Sequence, residues 1–151
     1  MSKGKCACGA VKFELKREPM FVHCCHCSDC QRLSGAAYAI NAMIEMSEIS
    51  YSGELSKHDV ATPSGAGQRV CRCAECGTAV WSHYLRRGEG VAYVKVGTLE
   101  NPEECPPDVQ IFTSSKQPWQ PLSDDIPAFE EYYDMKSVWP ADNFERFLAA
   151  I

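Results

Sequence analysis

Cys6-Ala7-Cys8-Gly9-Ala10-Val11-Lys12-Phe13-Glu14-Leu15 sets a close pair of cysteines and a glycine directly against a run in which apolar and polar residues alternate. A period of two is the signature of a half-buried strand. The cysteine pair in front of it is spaced so that both sulfurs can reach one metal ion across a tight turn. A second pair stands far along the chain, at Cys73-Ala74-Glu75-Cys76-Gly77. Structural zinc takes four ligands at the corners of a tetrahedron, usually as two cysteine pairs from separate segments. The glycine after each pair can adopt a positive φ and turn backbone N–H groups toward thiolates. Cys6, Cys8, Cys73 and Cys76 are therefore expected to form one closed zinc site that pins the N-terminus to a point halfway along the chain. Disulfides or buried apolar thiols are the competing reading, but cysteines one residue apart meet disulfide geometry poorly.

Between these pairs lies Cys25-His26-Cys27-Ser28-Asp29-Cys30, which offers three thiols rather than four. Three protein ligands with one position left open is the pattern of catalytic zinc, and an added thiol is a natural fourth ligand for a soft site. Cys25, Cys27 and Cys30 are thus the candidate catalytic residues. Two other readings stay open. His23, Cys24 or His26 closes the tetrahedron and makes the site structural, or the cluster is a redox site without metal. His26 is expected to point outward into solvent. Ser28 and Asp29 are expected to bond the loop backbone or the sulfurs. Cys24, Cys71 and Cys105 stand alone and read as packed free thiols, although Cys71 is close enough to Cys73 to exchange into the four-cysteine site.

Strand-length apolar runs recur along the rest of the chain, at Met20 to His23, Ala37 to Ile44, Ile49 to Tyr51, Leu55 to Val60, Gln68 to Cys71, Ala79 to Tyr84, Val91 to Val96 and Val109 to Thr113. Gly53, Thr62 to Gly67, the Cys73 to Gly77 turn and Arg86-Arg87-Gly88-Glu89-Gly90 punctuate them. Cys25 to Leu33 reads as a loop entering a helical turn that stops at Gly35. Pro118 to Pro127 is turn-rich, and Phe144, Phe147, Leu148 and Ile151 fall on one face of a terminal helix. The expectation is a mostly β chain with zinc-binding turns and short helices, forming one domain over residues 1–151.

Charge and composition exclude several classes. The net charge is −5, from 20 acidic and 15 basic residues, and no run of Lys or Arg exceeds two. Nucleic acid, which demands clustered basic charge, is not an expected partner. No apolar run approaches the roughly 18 residues of a membrane span. Met1 to Lys5 enters the first cysteine pair with no apolar stretch, so a signal peptide is not expected and the chain is placed in the cytoplasm. Ten cysteines in such a setting point to metal or catalysis rather than disulfides.

Cys6-x-Cys8-Gly9-x-Val11-x-Phe13, Cys25-His26-Cys27-Ser28-x-Cys30 and Cys73-x-x-Cys76-Gly77-Thr78 together resemble the glutathione-dependent formaldehyde-activating enzyme family, which includes the centromere protein V-like proteins. Val96-Gly97-Thr98-Leu99 and Ile111-Phe112 through Lys116-x-Pro118-Trp119 match weaker family stretches. The resemblance implies an Mss4-like fold of folded β-sheets and two Zn²⁺ per chain. One would sit on Cys6, Cys8, Cys73 and Cys76, the other on Cys25, Cys27 and Cys30. It also implies a carbon–sulfur lyase-type reaction, the condensation of glutathione with formaldehyde to S-hydroxymethylglutathione. One position departs: where members often carry a histidine before the Ile-Phe pair, this chain has Gln110, an amide that cannot shuttle protons as imidazole does. Because glutathione is anionic, cationic groups should line its pocket, with Arg32, Arg72 and Lys116 as candidates. Trp81, Phe112 and Trp119 would serve as apolar walls or, more simply, as core. The alternative from another class is a non-catalytic binding module stabilised by two structural zincs. The fourth ligand of the middle cluster separates the two.

Overall fold

The computed structural model describes residues 1–62 and 65–151, so Pro63 and Ser64 of the expected Thr62 to Gly67 turn lie outside the described residues. The protein is mostly β. Its strands are β1 (Ser2–Lys5), β2 (Lys12–Leu15), β3 (Phe21–Cys25), β4 (Ala39–Glu45), β5 (Ile49–Ser52), β6 (Leu55–Val60), β7 (Gln68–Cys73), β8 (Ala79–Tyr84), β9 (Val91–Lys95) and β10 (Val109–Ile111). Helices are few and short: α1 (Ser28–Ser34), α2 (Met135–Val138) and α3 (Ala141–Ala150). Each expected strand is present. β1 was not anticipated, because the pattern before Cys6 is too polar to signal a strand; it forms by pairing with β2 from Ser2 opposite Leu15 to Lys5 opposite Lys12.

The strands build two sheets, one of three strands in the order β1-β2-β5 and one of seven in the order β10-β3-β4-β9-β8-β7-β6. All neighbours are antiparallel except β10, which lies parallel to β3 at the edge, with Ile111 opposite Cys25. The small sheet packs on one face of the large one through Val11, Phe13, Leu15, Ile49, Val22, Ala42, Trp81 and Val94. Trp81 meets Phe13 edge to face at 5.7 Å, so it belongs to this core and not to a binding wall.

The opposite face carries a second core of Met20, Phe21, Met43, Val91, Tyr93, Ile111, Tyr133, Met135, Trp139 and Phe147, and Cys25 and Cys30 are part of it. Side chains alternate across a strand. Phe21, His23 and Cys25 therefore face this core, and Val22 faces the other. The middle thiols thus sit on a packed sheet face beneath the C-terminal tail.

α3 closes that face, but not with the expected stripe. Phe147 is buried, packed edge to face on Trp139 at 5.4 Å with the Arg87 guanidinium 4.9 Å from its ring, whereas Leu148 and Ile151 are 51% and 50% exposed. Polar contacts set the helix rotation. Arg146 clamps the Glu45 carboxylate through two 2.8 Å bonds, and Asn143 Nδ2 donates to Met20 O at 2.7 Å. Phe147→Ala is expected to cost about 3–5 kcal/mol in chemical denaturation, while Leu148→Ala shifts stability by less than about 0.5 kcal/mol; equal effects would contradict this docking.

Candidate functional site

Two groups of sulfurs converge, as their spacing suggested. Sγ of Cys6, Cys8, Cys73 and Cys76 lie within 4.8 Å of one another, and so do Sγ of Cys25, Cys27 and Cys30. All ten cysteines are free thiols.

Two turns of one design present the first group. Cys6 N–H donates to Val11 O and Gly9 N–H returns to Cys6 O; Cys73 N–H donates to Thr78 O and Gly77 N–H returns to Cys73 O. Gly9 and Gly77 adopt φ of 79° and 73°, in the left-handed region where a Cβ is costly. Val11 N–H points at Cys6 Sγ at 3.2 Å, and Thr78 Oγ1 lies 3.1 Å from Cys76 Sγ while accepting Ala7 N–H at 3.2 Å. Thr78 hydrogen bonds pull the Cys76 thiol down to about 5. Four sulfurs about 2.3 Å from one zinc at tetrahedral corners stand roughly 3.8 Å apart. Here Cys6 and Cys8 are separated by 3.5 Å, and Cys8 and Cys73 by 3.8 Å. The donor set fits a tetrahedral soft metal. Cys71 does not exchange into it, because β7 directs its side chain into the inter-sheet core.

The second group forms where β3 ends and α1 begins. Cys27 is the N-cap of α1 and its sulfur accepts Cys30 N–H at 3.4 Å. α1 ends on Gly35, whose N–H returns to Gln31 O. Ser34 Oγ donates to Cys30 O at 2.8 Å. Gln31 Nε2 donates to His26 O at 2.6 Å and Ser115 O at 3.0 Å, and Gln117 Nε2 donates to Gln31 Oε1 at 2.7 Å, so the loop is tied to the segment after β10. Hydrogen bonds from the Cys25 and Cys30 thiols hold Cys27 down to about 2, while contact with Cys27 and Cys30, together with burial, pushes Cys25 up. One thiolate is readily accommodated. Three within 4.8 Å need a cation to offset their repulsion, so this set too can hold a metal.

No fourth side chain completes the group among the described residues. His23 is buried and its Nε2 lies 2.6 Å from Tyr133 Oη, which also accepts Trp139 Nε1–H at 2.6 Å. Indole is only a donor, so the Tyr133 hydroxyl accepts from Trp139 and keeps its own proton free to give to His23 Nε2, and burial drops the His23 pKa to about 3. Cys24 Sγ and His26 Nε2 are engaged with each other at 3.5 Å.

The family model described as glutathione-dependent formaldehyde-activating enzyme matches residues 1–115, a stretch that contains both sulfur groups. The chain belongs to that family. A crystal structure of a Rhodobacter sphaeroides protein is similar over 83% of this chain and 98% of that one, at 23% identity and a TM-score of 0.52, which is a likeness of fold. The glutathione-dependent formaldehyde-activating enzyme match ends before the turn-rich tail and α3.

Within this family member, several sequence expectations find a different setting. His26 is not solvated: it is 1% exposed, tilted against Tyr38 at 5.3 Å, because its backbone N–H is drawn to Ile111 O and the ring folds under the loop. Gln110 is buried and bonds Ser123 twice, donating from Nε2 to the carbonyl at 2.9 Å and accepting the Ser123 N–H at 3.0 Å. It fastens the tail rather than handling protons. Asp29 pairs with Arg32 at 3.2 Å on the surface, Lys116 Nζ caps Gln120 O at 3.3 Å, and Trp119 is 69% exposed. Phe112 is half-buried against the second core in a left-handed conformation (φ 55°) at the end of β10.

Two groups beside the thiols escaped sequence reading. Asn41 turns its Nδ2 toward Cys30 Sγ at 4.0 Å, and its Oδ1 accepts from Lys95 Nζ at 2.6 Å. A lysine inside the otherwise apolar run Val91 to Val96 was the available signal.

His26 Nδ1 is the buried side-chain polar atom left without a partner among the described residues. His26→Phe is therefore expected to leave stability unchanged or to raise it, by up to about 1–3 kcal/mol, the usual cost of such an atom. A loss above about 1 kcal/mol in urea unfolding would show that Nδ1 is engaged.

Proposed function

We propose that the protein is a zinc-dependent carbon–sulfur lyase-type enzyme that joins glutathione to formaldehyde. The observation that carries this reading is the three-sulfur group of Cys25, Cys27 and Cys30, with no fourth ligand side chain among the described residues, in a member of the glutathione-dependent formaldehyde-activating enzyme family. The four-sulfur group of Cys6, Cys8, Cys73 and Cys76 suits a structural zinc. A zinc held by Cys25, Cys27 and Cys30 would keep a position for an incoming thiol and lower that thiol's pKa. The alternative of a non-catalytic zinc module calls for a closed middle site, and His23, Cys24 and His26 all have other engagements. Ten free thiols suit a reducing, cytoplasmic setting.

The reaction needs little from the chain beyond positioning. The sulfur of glutathione donates an electron pair to the formaldehyde carbon, the C=O π pair moves onto oxygen, and the proton that left the thiol ends on that oxygen. The product is S-hydroxymethylglutathione, and the reverse cleavage of its C–S bond is the lyase direction. α1 fixes Cys27 and Cys30 through the cap and the Ser34 bond, while β3 fixes Cys25. Asn41, fastened by Lys95, sets an amide N–H beside Cys30 Sγ and favours negative charge there. Tyr93, Tyr133 and the half-buried Phe112 belong to the same apolar core as Cys25 and Cys30, and Tyr132 stacks on Tyr133 with centroids 5.0 Å apart.

Protein purified without chelator is expected to carry two zinc ions per chain by elemental analysis. Cys27→Ala should retain one, stay folded by circular dichroism, and lose S-hydroxymethylglutathione formation followed by NMR. A Cys27→Ala protein that unfolds would mark the middle site as structural. Undiminished activity would remove the catalytic role of this cluster.

A further inference from the structure

A cavity of about 470 Å³ opens between the end of α1, the start of β4, the turn joining β7 to β8, and the end of β9. Ser34, Tyr38, Arg72, Thr78 and Lys95 are among its walls. It adjoins both sulfur groups: Ser34 bonds the carbonyl of Cys30, and Thr78 contacts Cys76 Sγ.

Its charge is opposite to that of the protein. The chain carries 20 acidic residues against 15 basic ones, yet the cavity wall contains two cations and no carboxylate. Among the described residues neither cation is paired with a carboxylate. Lys95 Nζ has Asn41 Oδ1 as its partner at 2.6 Å, and Arg72 donates one bond, to Gly77 O at 3.0 Å. An ammonium has three donors and a guanidinium five, so most of their hydrogen-bonding capacity is unused by the protein. Burial depresses the Lys95 pKa, a cost that an arriving anion would relieve.

Register explains how Lys95 reaches the thiol face. Cys25 lies opposite Ala39, and Asn41 opposite Lys95. Residues two apart share a face, so Cys25, Asn41 and Lys95 stand on the same side of the large sheet. A single amide group, that of Asn41, separates the Lys95 ammonium from Cys30 Sγ.

We infer that this cavity is the carboxylate subsite of the thiol substrate, with Lys95 and Arg72 holding the glycyl carboxylate of glutathione while its sulfur reaches Cys25, Cys27 and Cys30. The inference rests on the function proposed above. Glutathione has two ends, and the chemistry selects between them. The γ-glutamyl carboxylate sits beside an ammonium that two cations without an acidic partner would repel, whereas the glycyl carboxylate is unaccompanied. The reach is suitable, because the cysteinyl and glycyl residues span about 7 Å at roughly 3.5 Å per extended residue.

The test uses the full-length, zinc-loaded protein and two thiol-capped probes, S-methylglutathione and its glycyl ethyl ester, with affinities from isothermal titration calorimetry. Wild type is expected to bind the free acid about tenfold or more tighter than the ester, a preference that shrinks with added salt. Lys95→Met and Arg72→Gln should each weaken the free acid by a similar factor and bind acid and ester alike. A role confined to supporting Asn41 would weaken both probes together and keep the discrimination, which would overturn the assignment. Arg72 is part-exposed, so Arg72→Gln carries the test if Lys95→Met does not fold. Discrimination that is lost in the variants, in a protein with no formaldehyde turnover, would uphold the subsite and reject the catalytic reading. Turnover in wild type with discrimination intact in both variants would reject the subsite alone.

Discussion

β3, β4 and β9 lie side by side in a register that sets Cys25 opposite Ala39 and Asn41 opposite Lys95. Because successive side chains of a strand point to opposite faces, a slip of one residue would turn Cys25, Asn41 and Lys95 into the inter-sheet core and bring Cys24, Ile40 and Val94 to the thiol side. Burial on both faces of the large sheet forbids that slip. The position of every group near the middle thiols therefore follows from apolar packing on the far side of the same strands, through Val22, Ala42, Ile44 and Val94. Site and core are two faces of one constraint.

The two sulfur groups use similar donors in different mechanical settings. The first joins turns from two sheets, and two of its sulfurs, those of Cys8 and Cys76, lie on exposed residues. Its geometry is held by local backbone bonds and by Thr78, so it fastens one sheet to the other. The second is embedded in a hydrophobic core, capped by a short helix and backed by an amide–ammonium pair. No side chain completes the group among the described residues; the His23 ring is bonded to Tyr133, and Nε2 of His26 meets Cys24.

Much of this was legible in the sequence because cysteine spacing and strand periodicity are local signals. Cys6-x-Cys8-Gly9 and Cys73-x-x-Cys76-Gly77 announce turns whose backbone bonds close within five residues. The strands announce themselves by alternation. What stayed hidden depends on contacts distant in sequence. His26 reads as polar and exposed until β10 supplies the carbonyl that draws it inward. The amide of Gln110 looked like a lost proton carrier, and its real partners are the backbone groups of Ser123. The face of Phe144, Phe147, Leu148 and Ile151 did not reveal how α3 docks, because its rotation depends on Arg146 reaching Glu45, 101 residues away. Lys95 would be an ordinary edge lysine if β9 were not flanked on both sides by other strands.

The pairing of β10 with β3 has a consequence for the order of events during synthesis. Cys8 and Cys73 are separated by 65 residues, and His23 and Tyr133 by 110. At translation speeds of roughly 5–20 residues per second, the loop bearing Cys25, Cys27 and Cys30 exists for on the order of ten seconds before its edge strand and tail are made. Non-local pairing of this kind is slow even in a finished chain. The middle thiols therefore pass through a window in which neither the finished fold nor the β10 edge strand shields them, and the nascent protein depends on its surroundings to keep them reduced.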